Sequence, residues 1–233
     1  LYQLAVLHLF FRLLLLYPFV EQNGILYEWL TVAGMATAVW GGLAAAGSSQ
    51  PGRLWGYAAL HDWGLIILVL AIPGLRSWLL VLFLFSVRAV SMLTCATGLA
   101  TLEERIGELT PERLRGVATR LPWSSAAFLL GGLGLTGFPL SAGFTGHWAA
   151  LQLIAERDWQ PAAVVLLASG GAIFSFIRLA RELYGPLQNR QLPREGMAGA
   201  VFAIVLLLLS VGLAVVPQWL DTPIPRTLAA LRG

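Results

Sequence analysis

The residues of this chain that are best suited to chemistry are its histidines and the few charged side chains that lie within apolar stretches. His8, His61 and His147 all fall inside such stretches, Asp62 directly follows His61, and Arg88 lies in the middle of another. The sequence has no lysine, and its 15 cationic residues are all arginines, which keep their proton at physiological pH. Histidine titrates near neutral pH. If the chain moves protons, we expect its histidines and buried carboxylates to carry them.

The composition of the chain indicates a membrane protein. Hydrophobic residues make up 58% of it and charged residues 12%, whereas a soluble domain carries about 25% charged residues. A chain that spans lipid must be helical or form a closed barrel. The alternating pattern of a barrel is absent, so we predict an all-α polytopic membrane protein. The net charge of +3 comes from arginines between the apolar runs and does not indicate nucleic-acid binding. The lone Cys95 excludes an intrachain disulfide and a cysteine-ligated cluster.

Apolar runs separated by turn residues predict about seven spans, since a membrane helix needs about 20 residues. We expect one transmembrane bundle over 1–217 and a C-terminal tail over 218–233. The polar stretch 102–120 interrupts the bundle, and Thr110-Pro111-Glu112 within it resembles a helix start, so a short amphipathic surface helix is predicted there. Leu1 already lies in an apolar run, which suggests a trimmed, processed or incomplete start. The predicted spans are 1–20, 25–48, 54–73, 77–101, 121–155, 159–185 and 197–217.

The arginines predict the orientation of the chain. Loops rich in arginine and lysine stay in the cytoplasm, and nine arginines lie on the side where the first span starts, against four on the other. The first side is therefore predicted to be cytoplasmic and the C-terminus to lie outside. This holds if 121–155 crosses once, because two crossings would invert the last two spans. The nine are Arg53, Arg105, Arg113, Arg115, Arg120, Arg178, Arg181, Arg190 and Arg194; the four are Arg76, Arg157, Arg226 and Arg232.

The segment 121–155 is too long for one straight span and too short for two comfortable ones. Proline and glycine weaken the helix near Gly137–Gly143, so we predict one discontinuous span made of two half-helices. Exposed backbone at membrane depth is tolerated only inside protein or against a water-filled cavity, and His147 would face that cavity. The alternative is a simple kink, with His147 bonded to a neighbouring carbonyl. The residues that define the break are Gly137, Pro139, Gly143 and Gly146.

Four motifs follow one another along the chain. They are the stretch from Gly52 to Gly64, the loop from Leu114 to Trp123, the run Gly143-Phe144-Thr145-Gly146-His147, and Ser175-Phe176-Ile177-Arg178 with Tyr184-Gly185. In this order they resemble the C-terminal half of the antiporter-like membrane subunits of respiratory complex I and of multisubunit cation/proton antiporters. In that family the discontinuous twelfth helix has a lysine, or in one paralogue a glutamate, at the position of His147. The lysine-type motif is more similar to the subunit type nearest the hydrophilic arm, or to its antiporter counterpart, than to the other two.

The resemblance implies a proton-translocating membrane subunit of a complex I-type NADH:quinone oxidoreductase, with no cofactor, metal site, catalytic residue or redox centre of its own. His147, His61 and Asp62 would transfer protons, and Arg88 would be their electrostatic partner. The partners would be other membrane-arm subunits and lipid, with quinone reached only through neighbouring subunits. The location would be the inner membrane of a bacterium.

Departures from the family pattern leave other functions open. The family's first half has no counterpart here, Ser86 and Ala89 stand near positions where the family often has a histidine and a lysine, and a carboxylate replaces the usual histidine at Asp62. One alternative is therefore a non-pumping structural or assembly subunit, and another is a subunit of a cation/proton antiporter or membrane hydrogenase. Arg88 could equally be a fixed structural cation, with Asp62 as its counter-ion. His61 and Asp62 could make interfacial polar contacts instead.

Overall fold

The computed structural model of the chain is described over residues 2–17, 19, 24–186 and 194–232, and every regular element within these ranges is helical. Leu1 and Arg190, which the sequence analysis used, lie outside these ranges. Single 3-10 turns lie at Val117–Thr119 and Pro217–Leu220. The ten α-helices of the described part are α1 (Tyr2–Leu16), α2 (Gly24–Gly47), α3 (Pro51–Leu70), α4 (Leu75–Ile106), α5 (Pro111–Leu114), α6 (Pro122–Leu135), α7 (Phe144–Ala155), α8 (Trp159–Leu183), α9 (Met197–Val215) and α10 (Pro223–Arg232).

The fold is the all-helical membrane protein that the sequence predicts, while the number of spans stays a prediction. Four helices, α2, α4, α8 and α9, combine the length and the apolar composition of a membrane span. The 20-residue α3 has the length but contains Arg53, His61 and Asp62. Helix α1 has 15 residues, and α6 and α7 have 14 and 12. Helices therefore occur at all seven predicted places, and the predicted discontinuous span is the pair α6 and α7.

The short surface helix predicted within 102–120 corresponds to α5, which begins at Pro111 of the predicted helix start and has four residues, while its amphipathic character stays a prediction. Helix α4 continues through Ile106, and the rest of the segment contains only the four-residue α5 and a 3-10 turn at Val117–Thr119. Two glycines divide the segment, because Gly107 and Gly116 have φ angles of 78° and 77°. Glycine readily adopts such positive φ angles, and Gly107 caps the end of α4, while Gly116 precedes the 3-10 turn.

Close helix packing holds α3 inside the bundle. A Cβ atom at Gly41 of α2 would collide with the backbone nitrogen of His61, and one at Gly64 would collide with that of Ala38. Small residues let membrane helices approach closely, so α2 and α3 can lie backbone to backbone. Helices α4 and α6 pack equally closely at Gly131, where a Cβ would collide with the Cys95 backbone. The resulting rigid contacts fix the height of His61 and Asp62 within the bundle.

The last residues of the chain fold back onto the bundle. Helix α10 contacts α1 and α4, and its Ile224 and Leu228 side chains are buried. Residues 218–232, predicted as a tail, thus include a helix that packs against the helices before it. The division of the chain at residue 217 stays a prediction.

Candidate functional site

The break between α6 and α7 occupies residues 136–143. Helix α6 ends at Leu135, and the turn beyond it is closed by hydrogen bonds from Phe138 N to Leu133 O at 3.1 Å and from Phe144 N to Ser141 O at 3.2 Å. Gly137 and Pro139 lie within this turn, Gly143 directly precedes α7, and Gly146 lies in its first turn. All four residues predicted to form the break are thus at the junction of the two half-helices.

At two of these glycines, the neighbouring atoms leave no room for a side chain. Gly137 has a φ angle of 68°, and a Cβ atom there would lie 2.5 Å from Cγ of His147. A Cβ at Gly143 would collide with the carbonyl oxygen of Gly134. The turn therefore packs directly against the His147 ring and the end of α6, and it determines where that ring can lie.

His147 lies in the first turn of α7 and is buried, with 4% of its surface exposed. Its Nδ1 lies 3.0 Å from the carbonyl oxygen of Gly143, and because a carbonyl can only accept, Nδ1 must carry a proton. Its Nε2 lies 3.5 Å from Oδ1 of Asp62. In the neutral ring this Nε2 has only a lone pair and faces a carboxylate. Protonation of Nε2 converts that contact into a charge-assisted attraction.

Asp62 and Arg88 form a buried ion pair that links α3 to α4. Arg88 Nη1 donates to Oδ2 of Asp62 and also, at 2.9 Å, to the carbonyl oxygen of Ala59. The guanidinium carbon lies 5.4 Å from the centre of the Trp63 ring, a cation–π distance. The other oxygen of Asp62 faces His147. One carboxylate therefore lies between a cation that cannot lose its proton and an imidazole that can.

His61 is fully buried on α3 beside this group. Its Nδ1 lies 2.8 Å from the Ala38 carbonyl oxygen on α2, and its Nε2 lies 2.8 Å from Oγ of Ser169 on α8. Its ring stacks near that of His147, with the ring centres 6.5 Å apart. The two histidines and the ion pair thus form one cluster drawn from α3, α4 and α7, which also touches α2 and α8.

The structure brings together all four of the predicted proton-transfer and partner residues, and it adds one that the sequence analysis missed. Ser169 is 5% exposed. The only feature of the sequence that points to it is its spacing of seven residues from Phe176, which places both residues on the buried face of α8. His8 lies apart, beside an apolar cavity that Phe11, Trp78 and Phe85 help to line. Among the described residues, no group of three or more His, Cys, Asp or Glu could hold a metal ion.

A helical membrane bundle with a discontinuous helix and buried ionisable residues at the break is a class of architecture that includes membrane transporters. Residues 1–175 match the model of one family in this class, described as "NADH:quinone oxidoreductase/Mrp antiporter, TM". The chain belongs to this family. The family resemblance indicated by the four sequence motifs is thereby confirmed.

A curated relative gives the extent of the similarity. The chain is 26% identical over 230 residues to NADH-quinone oxidoreductase subunit N of Ectopseudomonas mendocina (strain ymp), an alignment that covers 93% of this chain and 45% of that protein. The chain therefore spans about half the length of such relatives.

Solved structures share the fold. Over 89% of this chain and 45% of the matched one, the structure resembles a chain of respiratory complex I from Thermus thermophilus with a TM-score of 0.76 and 21% identity. It also resembles a chain of the Mrp complex from Dietzia sp. DQ12-45-1b, with a TM-score of 0.73 and 19% identity over 83% of this chain and 45% of that one. Both matched chains belong to multisubunit membrane complexes.

Proposed function

We propose that the chain is a proton-translocating, antiporter-like membrane subunit of a complex I-type NADH:quinone oxidoreductase, without a cofactor or redox centre of its own. The observation that supports this most is the position of the Asp62 carboxylate, between Arg88 and His147 beside the helix break. Proton translocation needs a group that can change its charge inside the membrane. Burying such a group is less costly beside an opposite charge, and Asp62 provides one, which His147 shares with Arg88.

Each residue of the cluster has a separate task in this proposal. A proton that reaches Nε2 of His147 creates an imidazolium, and Oδ1 of Asp62 accepts its N–H. When the proton leaves, Asp62 stays paired with Arg88, which keeps its own proton throughout. The carboxylate therefore never lacks a cation while His147 changes charge. His61 adds a second proton acceptor on the path that leads from the cytoplasm towards His147.

The surroundings of the chain belong to the same proposal. Redox chemistry and the contact with quinone are assigned to neighbouring subunits, and other membrane-arm subunits and lipid cover the apolar surface. The chain would lie in a bacterial inner membrane, with its arginine-rich end in the cytoplasm and its C-terminus outside. The activity of the whole protein is part of the proposal, because the chain spans about half of its relatives.

A second candidate is a structural subunit that does not pump. It is favoured by two features of the cluster: the Nδ1–H of each histidine donates to a backbone carbonyl, and the charge of Asp62 is already paired with that of Arg88. Such a group could hold α3, α4 and α7 together without changing its charge. A subunit of a cation/proton antiporter or of a membrane hydrogenase is the third candidate, and the antiporter is favoured because the family includes antiporter subunits.

The variant His147→Ala in the intact complex separates these candidates. We expect NADH-driven proton transport into sealed membrane vesicles to fall by about tenfold or more, because removal of a positioned proton carrier costs at least that much. The control is His8→Ala, which removes a histidine outside the cluster and should leave transport unchanged. Normal transport in His147→Ala vesicles would leave the structural subunit as the function. Transport driven by a cation gradient without NADH would identify the antiporter.

A further inference from the structure

We propose that Ser169 is a positioning residue for protonation of His61, because its hydroxyl can turn between two hydrogen bonds and so stabilise the ring in both charge states. The inference deepens the proposed function, in which His61 lies on the proton path. Ser169 lies on α8, outside the residues that the sequence analysis singled out.

The geometry around His61 assigns a role to each of its nitrogens. Nδ1 lies 2.8 Å from the Ala38 carbonyl oxygen, so it can only donate and holds a proton in either charge state. The state of the ring is therefore determined at Nε2, which lies 2.8 Å from Oγ of Ser169. The same Oγ lies 3.1 Å from the carbonyl oxygen of Val165. A hydroxyl has one proton and can donate it to Nε2 or to Val165, but not to both.

Each of these two donations fits one charge state of His61. When the ring is neutral, the Ser169 hydroxyl donates to the lone pair of Nε2. When a proton binds at Nε2, the new N–H donates to Oγ, and the hydroxyl turns to donate to the Val165 carbonyl. One N–H bond forms, the O–H bond of Ser169 stays intact, and nothing is oxidised. The proton comes from the aqueous phase and returns to it.

The contrast with His147 shows why the hydroxyl matters. Nε2 of His147 faces the carboxylate of Asp62, which as an ionised group can only accept and therefore complements only the protonated ring. Nε2 of His61 faces a group that can both donate and accept. The ionisable groups nearest His61 are Asp62 on α3 and His147 on α7, with Arg88 on α4 held by Asp62. Helices α2 and α8 face it with the uncharged Ala38 carbonyl and Ser169 hydroxyl.

A serine that donates to the carbonyl four residues before it is common in membrane helices and has no function by itself. Ser175, on the same helix, contacts no histidine of the described part of the chain: its Oγ donates to the Ala46 carbonyl oxygen at 3.0 Å and accepts from Arg178 Nη2 at 3.3 Å. Ser169 differs because its oxygen also contacts a fully buried imidazole. Ser175→Ala is therefore a matched control for Ser169→Ala.

The test is 15N magic-angle-spinning NMR of the complete natural protein in lipid nanodiscs, labelled at its histidine rings. The ring resonances of His61 are those that disappear in His61→Gln, and their positions report the ratio of protonated to neutral ring at a fixed pH. We expect Ser169→Ala to lower this ratio by about fivefold, because the charged ring loses a stronger hydrogen bond than the neutral ring. Ser169→Thr, which keeps the hydroxyl, should restore the ratio, and Ser175→Ala should leave it unchanged.

An unchanged ratio in Ser169→Ala would overturn the inference and leave Ser169 as a packing residue. Ser169→Cys is a second variant without a hydroxyl and answers the same question if Ser169→Ala does not accumulate in the membrane. Proton transport is measured separately in vesicles. A Ser169-dependent ratio in a protein that does not pump would support the inference and reject the proposed function, whereas pumping with an unchanged ratio would do the reverse.

Discussion

At the scale of single residues, the central feature of the site is the Asp62 carboxylate, which contacts both the Arg88 guanidinium and the His147 ring. Arg88 and Asp62 are 5% and 2% exposed, so each would be an uncompensated buried charge without the other. The arginine also donates to the Ala59 carbonyl and lies against the Trp63 ring. These contacts hold it in place, so that a change of charge at His147 does not release Asp62.

Asp62→Asn tests the energetic role of this pair. The substitution leaves Arg88 charged and buried without its counter-ion, and we expect the free energy of unfolding to fall by about 3–5 kcal/mol. The double variant Asp62→Leu with Arg88→Met should cost less than either single charge removal, because it leaves no lone buried charge. Equilibrium unfolding in detergent micelles measures both effects. Single and double variants of equal stability would show that the pair contributes nothing as a pair.

The residues of the candidate site could be singled out from the sequence, whereas their role in proton transfer stays a prediction. His147, His61, Asp62 and Arg88 stood out because ionisable side chains in apolar runs are costly and are candidates for function. Asp62 was also a predicted counter-ion of Arg88. Ser169 could not be predicted, because a serine is inexpensive in a membrane helix and only the packing of α8 on α3 brings it to His61.

At the scale of helices, the break between α6 and α7 sets the position of His147. Two residues of the turn have almost the same left-handed backbone, Gly137 with φ 68° and Leu140 with φ 69°. Their surroundings differ. A Cβ at Gly137 would meet the His147 ring, whereas the Leu140 side chain is 85% exposed. Substitutions at Leu140 therefore change only the backbone strain, whereas substitutions at Gly137 also displace the His147 ring.

Gly137→Ala should reduce both stability and proton transport, because the new methyl group needs the space of the His147 ring and a left-handed alanine costs about 1–2 kcal/mol. Leu140→Gly removes that strain at the other position and should leave transport unchanged. Thermal unfolding in nanodiscs and proton transport in vesicles measure the two effects. Wild-type transport in Gly137→Ala would show that the turn does not position His147.

The helices themselves were predictable because apolar runs of about 20 residues have few alternatives in lipid. The end of α4 was less predictable. The predicted span stops at residue 101, where polar residues begin, but the helix continues through Ile106 and is capped by Gly107. Helix α4 is 32 residues long, or about 48 Å, and so exceeds the roughly 30 Å thickness of the hydrocarbon core.

At the scale of the whole molecule, the two ends of α4 mark opposite ends of the bundle. Near its start, Arg76 pairs with Glu156 at the junction of α7 and α8, with N–O distances of 2.9 and 3.2 Å. Beyond its end, the Gly116 N–H donates to the Glu182 carbonyl near the end of α8. Seven of the nine arginines predicted to be cytoplasmic lie where α4 and α8 end or where α9 begins, and Arg53 lies near the start of α3. The seven are Arg105, Arg113, Arg115, Arg120, Arg178, Arg181 and Arg194. Arg190 lies outside the described residues.

This polarity makes the orientation of the chain testable. Glu108 follows the end of α4, Gln160 lies at the start of α8 near Arg76 and Glu156, and both are exposed. The one native thiol, Cys95, is buried, so introduced cysteines can be labelled without interference. We expect Glu108→Cys to react with a membrane-impermeant maleimide only after the cytoplasmic face is opened, and Gln160→Cys to react from outside intact cells, because positively charged loops stay in the cytoplasm. The reverse pattern would place the arginine-rich end outside, and the proposed proton path from the cytoplasm past His61 towards His147 would then have to run in the opposite direction.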